Sequence, residues 1–289
     1  MEMMKKQNFG VEIEFRKITR KKAAEAIACK FNWSPAQYTS SYKTWYTRDE
    51  QGRKWKVVRD GSIDGPDSQK CELVTPILKY EDIELLQEVI RTIRKAGGRR
   101  HSSCGIHIHV DKANHNSKSL RNLINLVHSK EDLIYEALNI NNYRKNRWAK
   151  PVRKDLVEDV NKDKPKMNGL SDLWYKEYSD RHSHYNRSRY HGLNLHNVWY
   201  ANTVEFRYFN STMHAGKIKA YIQFCLAVSA QAIGQKYARS KKTKTDNPKY
   251  TFRTWLLRLG LIGDEFKTAR LHLLRHLNGN SAWRHGRSA

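Results

Sequence analysis

Apolar and polar residues alternate strictly in three short stretches: Gly10–Phe15, reading Gly-Val-Glu-Ile-Glu-Phe, Gly105–Val110 after Cys104, reading Gly-Ile-His-Ile-His-Val, and Val204–Arg207, reading Val-Glu-Phe-Arg. Successive side chains of a strand leave opposite faces, so each stretch predicts a strand with one apolar face and one polar face. Tyr42–Tyr46, Lys54–Arg59 and Glu72–Thr75 alternate in the same way, the last closed by Pro76. Order returns late in the chain at Gly192–His196 and Thr203–Phe209. Between these stretches the apolar spacing lengthens to the helical period. Ala23–Phe31 reads as a helix. Asp82–Lys95 places Ile83, Leu86, Val89, Ile90 and Ile93 on one side, with Arg91, Arg94 and Lys95 in its last turn and Gly97 as its stop. Ser117–Ile140 and Gly216–Tyr237 read as long helices, the second suited to covering the apolar face of a sheet. Asn141–Tyr190 is polar, basic and poor in periodicity, and is expected to be an inserted lid. Arg239–Lys249 is a Lys/Thr-rich linker, and a helical tail follows from Phe252, with Asp264 expected to cap Glu265–Leu277.

Composition narrows the classes this pattern allows. With 289 residues, 39% of them hydrophobic and 11% aromatic, the chain can bury a core of its own. Lys and Arg outnumber Asp and Glu by 54 to 29, a net charge of +25, which draws nucleotides, nucleic acid or acidic substrates. The four cysteines are scattered without a C-x-x-C pair, which favours a reduced, cytoplasmic setting over a disulfide or zinc scaffold. No leader segment is expected before the first strand. Tyr221–Gly234 is too short and too polar to span a bilayer, so no membrane partner is expected.

The chemistry concentrates on the polar faces of the strands. Glu12 with Glu14, His107 with His109, and Glu205 with Arg207 each point one way from their strand. Carboxylates gathered on one sheet face raise each other's pKa unless a cation sits among them. A set rich in carboxylates favours Mg²⁺ or Mn²⁺, whereas His-x-His alone also suits zinc or non-haem iron. Glu72 opens another strand and is a further candidate ligand. Asp60-Gly61-Ser62 and Asp64-Gly65 read first as turns. His182-Ser183-His184 lacks apolar alternation and reads as a solvated or anion-contacting loop. No Gly-rich phosphate loop, G-x-S-x-G elbow or catalytic cysteine context is present. A metal-dependent hydrolase or oxygenase using the His-x-His strand, and a basic nucleic-acid-binding protein using stretches such as Tyr143–Trp148, stand as alternatives to a metal-assisted ligase.

Taken in order, Gly10–Phe15, Asp60-Gly61-Ser62 with Glu72–Pro76, Gly105–His109, Arg189-Tyr190 with Leu193-Asn194, Val204–Arg207, and in the tail Gly260–Lys267 and Asn278–Arg284 resemble the amidoligase family. That family belongs to the carboxylate–amine ligase superfamily of glutamine synthetase and glutamate–cysteine ligase. The resemblance implies an α+β fold: a curved, mainly antiparallel sheet of glutamine-synthetase type, helices on one face, and a helical C-terminal region. It implies a catalytic domain over residues 1–238, carrying the insertion at about 141–190, and a basic linker with a helical extension over 239–289. ATP and Mg²⁺ are its implied cofactors, Mn²⁺ serving as a substitute, and a carboxylate and an amine its substrates. Glu12, Glu14, Glu72, His107 and Glu205 would hold metal. His109 would lie near the nucleotide phosphates, Arg207 would face the transferred phosphoryl group or the substrate carboxylate, and Arg189 and Asn194 would lie near the substrate.

Overall fold

The structure is a computed structural model in which residues 2–284 are described. In chain order they form α1 (Glu2–Lys5), β1 (Phe9–Phe15), α2 (Arg20–Phe31), β2 (Gln37–Thr39), β3 (Thr44–Arg48), β4 (Lys54–Val58), β5 (Cys71–Val74), α3 (Ile83–Ala96) and β6 (Gly105–Asp111). There follow α4 (Ser117–Ala137), α5 (Asn142–Arg147), α6 (Lys154–Asp163), α7 (Met167–Trp174), β7 (Leu193–Asn194), α8 (His196–Tyr200), β8 (Thr203–Asn210), α9 (Ala215–Gly234), α10 (Pro248–Arg258) and α11 (Lys267–Leu274). Helices and antiparallel strands are mixed, as an α+β chain requires. The described residues divide into two compact units, one of Lys6–His109 with Phe209–Lys219, the other of residues 2–5, 110–208 and 220–284.

In the Lys6–His109 unit the strand order is β2-β3-β4-β5-β1-β6. The pairs β2–β3, β3–β4, β4–β5 and β1–β5 are antiparallel. Val11, Ile13, Phe15, Trp55, Val57, Leu73, Ile106 and Ile108 are all buried on one face. Against the β3 and β4 part of that sheet packs α2, itself packed on α3. The helix α3 lies as its periodicity predicts, with Ile83, Leu86, Val89, Ile90 and Ile93 buried and Gly97 closing it in the left-handed region at φ 120°. The opposite sheet face carries Glu12, Glu14, Glu72, His107 and His109.

The hairpin β3–β4 is pinned by the buried carboxylate Asp49. Its Oδ1 accepts the N–H groups of Gln51 and Arg53, and its Oδ2 accepts from Arg53 Nε (2.8 Å) and Trp55 Nε1 (3.0 Å). Arg53 reaches on to Asp82 at the start of α3 (2.8 Å). The strand begins at Thr44 rather than Tyr42, because Ser41–Lys43 form a 3-10 turn in which Tyr42 and Lys43 take positive φ. The strand β2 has no apolar alternation to announce it, since all three residues are exposed.

In the Val110–Tyr208 unit, β7 and β8 pair antiparallel beside eight helices (counting α9 to α11 and leaving out α1). Asn141–Tyr190, polar and poor in periodicity, is nonetheless partly helical. It holds α5, α6 and α7, and α6 buries Leu156, Val157 and Val160 while α7 buries Leu170 and Trp174. Trp174 donates its indole N–H to Ser188 (3.0 Å), and α6 packs on both α4 and α7. Asp264 does not cap the last helix. It opens a 3-10 turn after Gly263 (φ 83°), makes no capping bond, and α11 starts at Lys267.

Candidate active site

The register of β1 against β5 sets Glu14 directly opposite Glu72 and Glu12 opposite Val74. Both Glu14 (4% exposed) and Glu72 (9%) are buried. Two carboxylates facing each other across an antiparallel pair repel, and burial removes the water that would screen them. A third acidic group joins them. Ligand atoms of Glu14, Asp60 and Glu72 all lie within 4.8 Å of one another, and so do those of Glu12, Glu72 and His107.

Asp60 keeps the turn role its sequence suggests, its Oδ1 accepting Ser62 N–H at 2.6 Å. The same side chain also reaches Glu14 and Glu72, a second role that an Asp-Gly turn motif does not announce. The signal was available: Lys54, Lys56 and Val58 share the face of Glu72, and one more step of two past the strand end arrives at Asp60. The loop is tied down around Asp67, which pairs with Arg59, Lys43 (3.0 Å) and Arg20 (3.6 Å). The hydrogen bonds of Arg59 and Lys43 hold the Asp67 carboxyl well below the usual range.

On β6, both histidines reach the acids of β1. His107 Nδ1 stands 2.9 Å from Glu12 Oε2, and its Nε2 is 3.8 Å from Glu14 Oε1. His109 Nε2 lies 3.5 Å from Glu12 Oε1. The backbone N–H of Gly105 donates to Glu14 Oε2 at 2.6 Å. Burial by itself would raise the Glu12 carboxyl. The charge of His109 and the hydrogen bond of His107 outweigh it and hold Glu12 well below the ordinary carboxylate range. The donor set fits a divalent cation of the Mg²⁺ or Mn²⁺ class: two groups of three that share Glu72, one of carboxylates alone and one with an imidazole, and no thiolate in either. The nearby thiol of Cys104 is pushed up to about 12 by burial, with Glu14 beside it, so it is no nucleophile.

Glu205 and Arg207 belong to the other unit. Both are buried on β8, and Arg207 Nη1 donates to Glu205 Oε1 at 2.5 Å. Register places Asn194 beside Glu205. Glu205 Oε2 accepts from Asn194 Nδ2 (2.6 Å) and from Asn197 Nδ2 (2.7 Å). Asn194 Oδ1 in turn accepts His196 N–H (2.8 Å), which fixes the amide's orientation. Asn197 was not foreseen, because it sits on the short helix α8 with nothing in its local pattern to mark it. Behind β8, the buried Arg144 donates Nη2 to the carbonyl of Arg207 (3.1 Å). Arg189 is half-buried, donates to His184 O (3.2 Å) and stacks on the rings of Tyr185 and Tyr190 at 5.4 and 5.5 Å. The second His-x-His is tied to rings, His184 stacking on Tyr200 at 5.2 Å.

A solved structure of a bifunctional glutathione synthetase from Pasteurella multocida is similar at 12% identity and a TM-score of 0.44, over 95% of this chain and 47% of that one. The chain thus spans about half the length of that protein. Comparison with curated proteins gave no match. The profile of a family described as "Putative amidoligase enzyme" matches residues 5–229, a span that holds every candidate ligand and both members of the Glu205–Arg207 pair. The chain belongs to the amidoligase family.

Proposed function

We propose that this protein is an ATP- and Mg²⁺-dependent carboxylate–amine ligase that makes an amide bond through an acyl phosphate. The observation that carries the reading is the buried cross-strand pair Glu14–Glu72 with Asp60, Glu12 and His107 in reach. That arrangement is costly without a cation and suited to one or two. Glu12, Glu14, Asp60, Glu72 and His107 would hold Mg²⁺ or Mn²⁺. Bound there, the metal would neutralise phosphate charge during phosphoryl transfer.

A carboxylate is a poor electrophile. Moving the γ-phosphoryl group of ATP onto it makes an acyl phosphate, an amine then attacks the carbonyl, phosphate leaves, and the amide remains. Phosphoryl transfer needs positioning and charge neutralisation more than a nucleophilic side chain. His109, linked to Glu12, would meet the phosphates. Arg207 keeps its charge at every working pH and offers a planar fork that matches a phosphoryl or carboxylate group. Its partner Glu205, held by two amides, would set the direction of that fork and would serve as a further metal ligand. Asn194 and Arg189 keep the substrate-side roles of the resemblance, Asn194 acting through Glu205. In this reading the fold is of the glutamine-synthetase type, residues 1–238 are the catalytic part, and the protein works in the cytoplasm. The strongly basic surface would draw ATP and an acidic acceptor. No helix among the described residues is long and apolar enough to cross a membrane.

The test is direct. Purified protein supplied with ATP, Mg²⁺ and a panel of carboxylates and amines should release ADP and phosphate in step with amide. Release of AMP, or amide formed without ATP, would overturn the reading. One tightly held zinc or iron after purification would favour a hydrolase or oxygenase instead.

A further inference from the structure

The Val110–Tyr208 unit carries a second collection of charge that the ligase reading does not use. The Lys/Thr-rich segment after α9 is not a loose connector but is laid along α4. Thr243 N–H donates to Ser129 O (2.9 Å), Lys130 Nζ donates to Thr243 Oγ1 (2.5 Å), and Lys242 pairs with Asp132 (3.2 Å). This segment and α10 line a pocket of about 460 Å³, a volume in the range of small-molecule and cofactor sites.

Four cations line it, Lys130, Lys244, Arg258 and Arg284, against one lining carboxylate, Asp246. The hydroxyls of four threonines and Tyr250 make the lining polar, Thr245 and Thr251 bonded to each other (2.8 Å) and Thr254 donating to Tyr250 O (2.9 Å), and Trp255 adds an aromatic surface. Trp255 is fixed in place by its indole bond to Gln231 (3.1 Å). Lys130 is half-buried. Its ammonium is pushed down first by burial and then by the neighbouring charge of Arg258. Lys130 and Arg258 stand near enough for their charges to act on each other, and like charges so placed are relieved by an anion set between them. Elsewhere in the same segment Lys242 has its acidic partners, Asp132 and Glu131. The pocket therefore concentrates positive charge beyond the general basicity of the chain. Apart from Lys130, all of its lining residues follow the family match, which ends at residue 229.

We propose that this pocket is a binding site for the phosphate group of a phosphorylated ligand, with room beside it for a nucleotide-sized body. The phosphates could be those of a free nucleotide or polyphosphate, or those of a nucleic-acid backbone, and the experiment separates these sources. The full-length protein, freed of divalent cations, is titrated calorimetrically with sodium tripolyphosphate. In parallel, a labelled oligothymidylate is titrated by fluorescence anisotropy. Lys244 and Arg258 are both exposed, so the double variant K244E/R258E should keep the native fold, which its melting curve checks.

Tripolyphosphate should bind the native protein, at least about tenfold more weakly in the double variant, and with near-native affinity in Arg258→Lys, which keeps the charge. Oligothymidylate binding with the same dependence on the two cations, in the absence of tripolyphosphate binding, keeps the site and assigns its phosphates to nucleic acid. Binding that the double variant leaves unchanged, or no binding of either probe, overturns the proposal. If the double variant unfolds, the single variants Lys244→Gln and Arg258→Gln replace it, and unchanged affinity in both overturns the proposal equally.

Discussion

Glu72 is where cost and use meet most plainly. Its carboxylate faces that of Glu14 across the strand pair, both in a buried setting. Without divalent cations, Glu72→Gln should therefore stabilise the protein, by about 0.5–1 kcal/mol, because a like-charge pair is relieved. With Mg²⁺ present the order should reverse, since the native chain gains binding energy that the variant cannot. Melting curves with and without Mg²⁺ check both signs, and ligase turnover of the variant should fall by about 100-fold or more. Asn197 argues the same way at one remove. Asn197→Ala leaves one of the oxygens of Glu205 short of a donor and should lower kcat about tenfold with little change in melting, measured by steady-state ADP release. The candidates Glu12, Glu14, Glu72 and His107 were legible because strand alternation is a property of neighbouring residues. Asp60 was hidden, since Asp-Gly codes for a turn whether or not the carboxylate has a second task. Asn197 was hidden too, because its importance comes from a partner on β8 that no local pattern reveals.

Elements show the same division between local and distant causes. The amphipathic α3 announces itself through five apolar residues on one face, and Gly97 ends it as glycine in the left-handed region does. By contrast α6 and α7 are short, and each buries two or three apolar residues amid Lys, Asp and Asn, so their periodicity is lost in a polar stretch. Two buried carboxylates tie elements together, with opposite consequences. Asp49 closes the β3–β4 hairpin with four donors, and Asp49→Ala, which takes the acceptor from Arg53 Nε, Trp55 Nε1 and two backbone N–H groups, should cost about 2–4 kcal/mol in urea unfolding. Glu131, on α4, accepts from Val152 N–H (3.1 Å) and Tyr208 (2.7 Å), joining α4 to β8 and to the segment before α6. Burial dominates there and pushes its carboxyl up to about 7 from an ordinary 4.5. A raised acid is most favourable to folding when protonated. Its contribution is thus fully present below pH 4.5 and is lost as pH rises through 7, a change on the order of 3 kcal/mol. Glu131→Gln should remove that slope, so the stability of the variant relative to the native chain should rise between pH 5 and about 7.5 by urea titration.

For the whole molecule, the net charge of +25 predicts attraction for anions but does not say where they go. Two units with different chemistry offer an answer. In the Lys6–His109 unit the acids of β1 and β5 make a local region of negative charge within a basic chain, which calls for a cation. The other unit gathers Lys130, Lys244, Arg258 and Arg284 around one pocket, which calls for an anion. A ligand stabilises most the region it binds, by about 2.7 kcal/mol at a concentration 100 times its Kd. Hydrogen exchange should therefore separate the two sites. Mg²⁺ alone should slow exchange in β1, β5 and the Gly105–His109 part of β6, leaving residues 243–258 unchanged. Tripolyphosphate alone should slow residues 243–258 and leave β1 and β5 unchanged. Protection by Mg²⁺ spread evenly over both units would show that its effect is general charge screening, and the cage of Glu12, Glu14, Asp60 and Glu72 would lose its standing as a specific site.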